Sequence, residues 1–262
     1  MKLCAIYICW SDWDILKYSL KNIEPLVDGV IIVGSYYSNF GEFCDIPVEF
    51  HGMMHIREPQ FKSARESETD KRNFGLQLAR KAGYTHFLTM DADEFYEPEE
   101  FLREKEWFKS DYCKNTKTVG VVGYCQTYFK SPKLTIGNDV TLVPFIHELT
   151  PTIKHEFNRN YPYAWSKHQI RIDPTRSFNI NSGVLMSEIT MHHMSWVRKD
   201  YNRKIRNSTA RTNLERSCIL TDLLHAKEGG FCEYYQKPLV RASVDFEIPE
   251  YEFNQSSNTA VR

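Results

Sequence analysis

Seven cysteines are scattered through the 262 residues (Cys4, Cys9, Cys44, Cys113, Cys125, Cys218 and Cys232), and no Cys-x-x-Cys pair occurs among them. An odd, dispersed set of thiols argues against a disulfide framework and against a cysteine zinc centre, and it suits a reducing, cytoplasmic compartment. No stretch approaches the roughly 20 consecutive apolar residues of a membrane span. The apolar start, Met1 to Trp10, is short, carries only Lys2, and gives way at once to the charged segment Ser11–Asn22. It reads as a first strand and not as a signal peptide. A net charge of −1 provides no global pull toward nucleic acid. Gly-x-Ser-x-Gly, Walker and Gly-x-Gly-x-x-Gly patterns are all missing, which speaks against a hydrolase elbow, a P-loop and a classical dinucleotide fold. His-Glu-x-x-His is missing too, and with it the usual zinc-protease helix.

Apolar residues are plentiful at 42%, enough for a core, and aromatic residues reach 14%. Many of the aromatics lie in apparent loops, where base or carbohydrate stacking would use them. Lys2–Cys9 reads as a strand. Ser11 and Asp14 form a capping pair, and Ile15, Leu16, Leu20 and Ile23 follow at helical spacing. After the Asp28-Gly29 turn, Val30-Ile31-Ile32-Val33 has the β-branched, uniformly apolar character of a parallel strand covered on both faces. Pro47–His55 holds a further short strand. A helix after the charged run Ser63–Lys71 presents Phe74, Leu78 and Ala82 and stops at Gly83. Thr85–Met90 is a strand, and Pro98 opens a helix carrying Phe101, Leu102 and Phe108. This alternation predicts an open, mainly parallel α/β sheet. Beyond it, Val119–Phe129 is a strand and residues 131–189 are irregular, with short strands near Gln169–Ile172 and Gly183–Met186. Between Arg198 and Arg216, seven Lys/Arg face two acids, and Val197, Tyr201 and Ile205 recur four apart, predicting one amphipathic helix with a basic face. The organisation expected is 1–118 as a ligand-binding half, 119–245 as the second half of the same domain, and 246–262 as a polar tail. No internal repeat is present.

The most informative stretch is Asp91-Ala92-Asp93-Glu94, set where the Thr85–Met90 strand ends. Ligands of parallel α/β sheets bind outside the carboxyl ends of the strands. Two carboxylates at i and i+2 on an extended turn point the same way. Mg²⁺ or Mn²⁺ takes oxygen ligands, often one or two carboxylates together with substrate phosphates. The pair therefore suits a cation held against a diphosphate, whose developing negative charge must be neutralised.

Lys71-Arg72-Asn73-Phe74-Gly75, Leu78-Ala79 and Gly83 through Glu94 together resemble the core signature of GT-A glycosyltransferases of the family 2 type. The likeness covers residues 1–110. It implies a GT-A, Rossmann-like fold: a mixed, mainly parallel sheet flanked by helices, with an irregular C-terminal acceptor-side region. It also implies nucleotide contacts from Trp10, Ser11, Ser35, Arg72, Asn73 and Asp91, with Asp91 between ribose and cation and Asp93 as the principal ligand of Mn²⁺ or Mg²⁺. Two departures are visible. The first strand ends Cys9-Trp10-Ser11 in place of Pro-x-Tyr-Asn, and the second is followed by Tyr36-Tyr37 in place of an acidic residue; tyrosine stacking on uracil would replace the missing contact.

Met191-His192-His193-Met194-Ser195-Trp196-Val197-Arg198-Lys199 is similar to a His-His segment of family 2-like enzymes. The resemblance implies that His193 or His192 adds a metal ligand and that Arg198 or Lys199 offsets diphosphate charge. Neighbours on a strand face opposite ways, so one of the two histidines reaches the metal. An inverting transferase needs a base for the acceptor hydroxyl, and Glu188 and Glu148 are the candidates, ahead of Glu156 and Asp173. Tyr161, Tyr163 and Trp165 would stack on the acceptor. The function expected is transfer of a sugar from a UDP-linked donor to a hydroxyl of a glycan, or of a modified DNA base. The competing readings are a nucleotidyltransferase using the same carboxylates and a non-catalytic sugar-binding module.

Overall fold

The computed structural model describes residues 1–60, 63–156, 171–172, 175–180, 182–249 and 251. Tyr161, Tyr163, Trp165 and Asp173 lie outside the described residues, as does most of the expected tail. The chain divides into two compact units. The first is Met1–Cys125 with Val140–Met191, and the second is Gln126–Asp139 with His192–Arg262.

The first unit opens with β1 (Leu3–Cys9), α1 (Trp13–Ile23), β2 (Gly29–Gly34) and β3 (Met54–Ile56). Next come α2 (Ala64–Lys81), β4 (His86–Asp91), β5 (Glu94–Tyr96), α3 (Pro98–Phe108) and α4 (Asp111–Asn115). The strands β6 (Gly120–Phe129), β7 (Leu134–Glu148) and β9 (Val184–Trp196) contribute residues to both units, and β8 is Arg171–Ile172. The sheet runs β3-β2-β1-β4-β7-β6-β9-β5 among the described residues. Its β3-β2-β1-β4 portion is entirely parallel, and β7 is antiparallel to β4. The expected mixed, mainly parallel sheet flanked by helices is what forms.

The reason lies in β1. Ile6 and Tyr7 are adjacent and so face opposite sides of the sheet. Ile6 lies beneath Gly75 of α2, while the Tyr7 hydroxyl bonds Ser19 Oγ of α1 at 2.8 Å. A helix therefore covers each face, and a strand buried on both sides has to be apolar throughout. The core of this unit joins Cys4, Ile6, Ile31, Val33, Leu76, Ala79 and Phe87, with Val122, Leu142 and Phe178 added from later segments.

Helix α2 starts on Ser63 as its N-cap. The Ser63 side chain accepts from the Glu66 amide at 3.1 Å and donates to the Glu66 carboxylate at 2.8 Å. It stops at Ala82, with Gly83 beyond it at φ +72°, as a C′ glycine should. The helix phase differs from expectation. The buried side is Ser67, Glu68, Lys71, Arg72, Gly75, Leu76 and Ala79, while Phe74 and Leu78 are only partly buried. Its first half thus turns charged side chains inward, which a hydropathy pattern assigns to water.

Four other expectations are corrected. Helix α1 has Asp12 as N-cap with no side-chain cap, and Ser11 sits at φ +65°. Leu102 is exposed on α3. The irregular stretch contains the 15-residue β7, disguised by Gly137 and Pro144, and the short strand near Gly183 extends into the 13-residue β9. In the second unit the single basic helix is replaced by two short helices, α5 (Tyr201–Asn207) and α6 (Arg211–Glu215). Ser208 turns to an extended ψ of 142° and ends α5. The unit is completed by α7 (Ile219–His225), β10 (Phe231–Cys232), β11 (Lys237–Pro238) and β12 (Val240–Arg241). Its own core unites Phe129, Trp196, Tyr201, Ile205, Leu223 and Leu239.

Gly75 sets how closely α2 lies on β1, because a Cβ there would fall 2.3 Å from Ile6 Cγ2. Gly75→Ala is expected to cost about 1–3 kcal/mol by overpacking, read as a lowered urea midpoint at unchanged slope.

Candidate functional site

Strand register alone assembles the site. Cys9 of β1 pairs with Gly34 of β2, and Ile8 pairs with Asp91 of β4, so three strands end together. Here the strand order reverses, the chain going from β1 to β2 and β3 on one side and returning through α2 to β4 on the other, the kind of switch point where α/β sheets bind ligands. Gly34 and Asp91 flank β1 and are about 10 Å apart, two strand spacings. The residues just past these ends are Trp10, Ser11 and Asp12, then Ser35 and Tyr36, then Asp91 to Glu94.

Around Asp91 the charges of the described residues form a connected set. Arg72 Nη2 donates to Glu68 Oε1 at 2.8 Å and to Asp91 Oδ1 at 3.0 Å. Arg176 Nη2 bridges Asp91 Oδ2 and Glu94 Oε1. Thr175 Oγ1 adds a bond to Glu68 Oε1 at 2.8 Å, and the Asp91 amide donates to Glu94 Oε2 at 2.9 Å. Each oxygen of Asp91 is therefore held by a guanidinium. Arg72, Arg176 and Glu94 are buried, and Asp91 keeps 28% of its side chain accessible. Three carboxylates (Glu68, Asp91 and Glu94) stand against two arginines. Asp93, only 2% exposed, adds a fourth.

The pKa shifts follow from this crowding. The Cys9 thiol is pushed well above its usual value, first by burial and then by the charges of Asp12, Asp93 and Asp91. It is a proton-holding thiol and not a nucleophile. His155 is driven well below the ordinary histidine range by burial, then by the Arg72 charge, so it is neutral. Its Nε2 lies 3.3 Å from Thr89 Oγ1 of β4. Lys71 falls to about 8 through burial, a loss partly offset by Glu58 and Glu68.

The expected site residues separate. Trp10 is half-buried and its Nε1 donates to the Tyr36 carbonyl at 3.2 Å; Ser11 is also half-buried. Ser35 is fully buried and bonded to Lys71, so it acts behind the surface. Asn73 is tied to a remote segment of the chain. Its amide clamps the backbone of His155, donating to the carbonyl at 3.0 Å and accepting from the N–H at 2.7 Å. Arg72 joins the site through Asp91. Glu148 is brought to the wrong end. It pairs with His86 at the start of β4, about 17 Å along the strand from Asp91. Glu188 is exposed on β9, where its charge acts on Arg103 of α3.

His192, His193 and Arg198 belong to the second unit. His192 is buried, its Nδ1 lies 2.8 Å from the Tyr128 hydroxyl, and its ring packs edge-on to Phe246. Burial lowers its pKa to about 4. His193 is half-buried next to it on β9. Arg198 Nε donates to the Ser195 carbonyl at 2.7 Å. Among the described residues, no group of three or more His, Cys, Asp or Glu is arranged to hold a metal ion.

Sequence reasoning missed Lys71, Glu68, Glu94, Thr175 and Arg176. Glu68 and Lys71 were open to discovery, since with Arg72, Gly75 and Leu76 they follow the 3–4 spacing of one helix face. Arg176 had no local signal, because only the fold carries it to Asp91.

No protein-family model matches the sequence, and no curated protein matches it. Solved structures offer distant likenesses. S. aureus TarS 1–349 matches over 87% of this chain and 76% of that one, at 12% identity and a TM-score of 0.41. The same fragment in complex with UDP-GlcNAc matches over 48% and 35%, at 12% identity and a TM-score of 0.32. A glycosyltransferase involved in the glycosylation of the major capsid of PBCV-1 matches over 56% and 60%, at 11% identity and a TM-score of 0.29. At such values the functional argument rests on the residues themselves. Among the described residues no helix is long and apolar enough to cross a membrane.

Two outcomes follow from the geometry. Arg176→Met removes the guanidinium that bridges Asp91 and Glu94, leaving Asp91 with Arg72, and is expected to cost about 3 kcal/mol in urea unfolding. Glu148→Gln, at the far end of β4, is expected to change the activity proposed below by less than about twofold.

Proposed function

We propose that the protein is a glycosyltransferase that moves a sugar from a nucleotide diphosphate sugar, UDP-linked, to an acceptor hydroxyl with inversion, the acceptor being a glycan. The observation that carries the reading is the Asp91–Asp93 turn at the switch point, braced by Arg72 and Arg176. A departing nucleoside diphosphate develops negative charge, and preorganised positive charge is what lowers that barrier. Here the two buried guanidiniums are balanced by Glu68, Asp91 and Glu94 and serve to hold the turn in place, so the charge facing a diphosphate has to come from a cation.

The carboxylates outnumber the guanidiniums, so the same place favours a cation. Mn²⁺ or Mg²⁺ suits the chemistry of the side chains here, which offer hard carboxylate oxygens. Asp93 would hold it, with Asp91 turned to its arginines. When bound, the ion supplies Lewis-acid neutralisation of the diphosphate. The rest is the work of this chain. Asp91 orients the two arginines, Glu94 holds the Asp91 backbone, and Trp10 and the segment after β2 border the side where the nucleoside would lie.

The test is a panel of nucleotide sugars with Mn²⁺, read by thermal shift and by release of the nucleoside diphosphate. One donor class is expected to stabilise the protein by about 2.7 kcal/mol at 100 times its Kd and to be turned over. Asp93→Asn is expected to lower turnover at least about 100-fold while leaving the unfolding midpoint near wild type. Absence of any stabilising nucleotide sugar, or full activity in Asp93→Asn, would overturn the proposal.

A further inference from the structure

One buried cation has no part in the chemistry just described. Lys71 lies on the inward face of α2 and is 3% exposed. Its Nζ donates to Ser35 Oγ at 2.7 Å, directly past the end of β2. Ser35 Oγ in turn donates to the Tyr37 carbonyl at 2.8 Å. The segment beyond is tightly built. The Glu58 carboxylate accepts the Tyr36 amide at 2.9 Å and the Tyr37 amide at 3.3 Å. The Tyr36 carbonyl accepts from Trp10 Nε1 and, at 2.8 Å, from the Cys44 amide. Ser38 N–H closes on the Glu42 carbonyl at 2.8 Å, and Tyr37 bridges Phe43.

This short hairpin displays rings. Tyr36 stacks on Phe43 with planes 8° apart, and Tyr37 meets the same ring edge-on. Tyr37, Phe40 and Phe43 are 41%, 41% and 51% exposed. Three large exposed rings within seven residues are unusual for a solvated loop, and such patches mark binding surfaces. Flexible loops lose affinity to ordering, whereas a pinned one has already met that cost.

Burying an ammonium is unfavourable unless its charge and donors are satisfied. A methionine would fill the same space without that penalty, so a lysine here points to a use for the charge. We propose that Lys71 is a positioning residue, which holds Ser35 and thereby fixes the aromatic segment Tyr36–Phe43 at the border of the donor site. The link to the donor rests on the function proposed above; the link to the segment does not.

The charged and titratable groups acting on Lys71 are Glu58 beyond β3, Glu68 and Asp70 on α2, and Cys9 on β1. Its pKa of about 8 lies below the ordinary lysine value, so it is a cation below pH 8 and neutral above. The sign for the fold follows. The unfolded chain holds this proton to higher pH than the native one, so the burial penalty acts below pH 8 and fades above it. The sign for the segment is opposite, because the neutral amine loses its attraction to Glu58 and Glu68.

Amide hydrogen exchange on the full chain separates these effects. At pH 7, Lys71→Met is expected to lose protection across residues 36–44, with α2 and β4 still protected and the melting temperature no lower than wild type. Lys71→Arg is expected to restore protection. In wild type, protection of 36–44, corrected for intrinsic exchange, is expected to fall as pH rises through 8, and in Lys71→Arg to stay level. Unchanged protection of 36–44 in Lys71→Met, or a loss spread evenly over the chain, would overturn the proposal. With UDP and Mn²⁺ as the probe, Lys71→Met is expected to raise Kd about tenfold. If wild type binds no UDP, the UDP-linked donor is lost and the exchange data alone decide the role of Lys71.

Discussion

Everything at the carboxyl end of the sheet depends on one carboxylate held between two guanidiniums. Asp91 lies between Arg72 and Arg176, which are tied in turn to Glu68 and Glu94. Charges this deep are costly to desolvate, and the cost is offset only when every partner is in place. Three remote segments must meet for that: the first turns of α2, the turn after β4, and residues 175–176. The site is therefore also a folding constraint. It is satisfied in the native arrangement and heavily penalised in a shifted one.

That constraint divides the labour of the acidic pair. Both oxygens of Asp91 are engaged by arginine, so it ties α2 and residues 175–176 to the turn after β4. Asp93, two residues on and also buried, is the carboxylate we propose for a hard cation. Gly75 contributes at a distance, because the close approach of α2 to Ile6 brings Arg72 and Lys71 over the strand ends. One helix face thus serves two strands, Arg72 acting on β4 through Asp91 and Lys71 on β2 through Ser35.

Much of the parallel half was legible in the sequence. Strands β1, β2 and β4 announced themselves as apolar runs, since burial on both faces leaves no alternation to confuse. The end of α2 was marked by Gly83, and its place beside the acidic turn by the spaced Arg72-Asn73-x-Gly75 pattern. Less was legible where tertiary contacts override local preference. The inward charges of Glu68, Lys71 and Arg72 look like a solvated surface until their partners are known. Strand β7 hid behind a glycine and a proline. The basic run from Arg198 kept helical spacing on paper and broke at Ser208. Asn73 looked like a ligand contact, and its amide also clamps the backbone of His155, a residue 82 positions away.

By itself the sequence determined the alternating α/β order, the strand that ends at Asp91, and the chemistry a carboxylate pair can offer there. Hydrophobic periodicity and turn residues are local, and local signals survive in one dimension. Only the tertiary structure decided what surrounds that pair. It brought Arg176 to Asp91, sent Glu148 to the opposite end of β4, and set Lys71 beneath Ser35. Those are matters of register and of long-range charge pairing, which no spacing along the chain encodes.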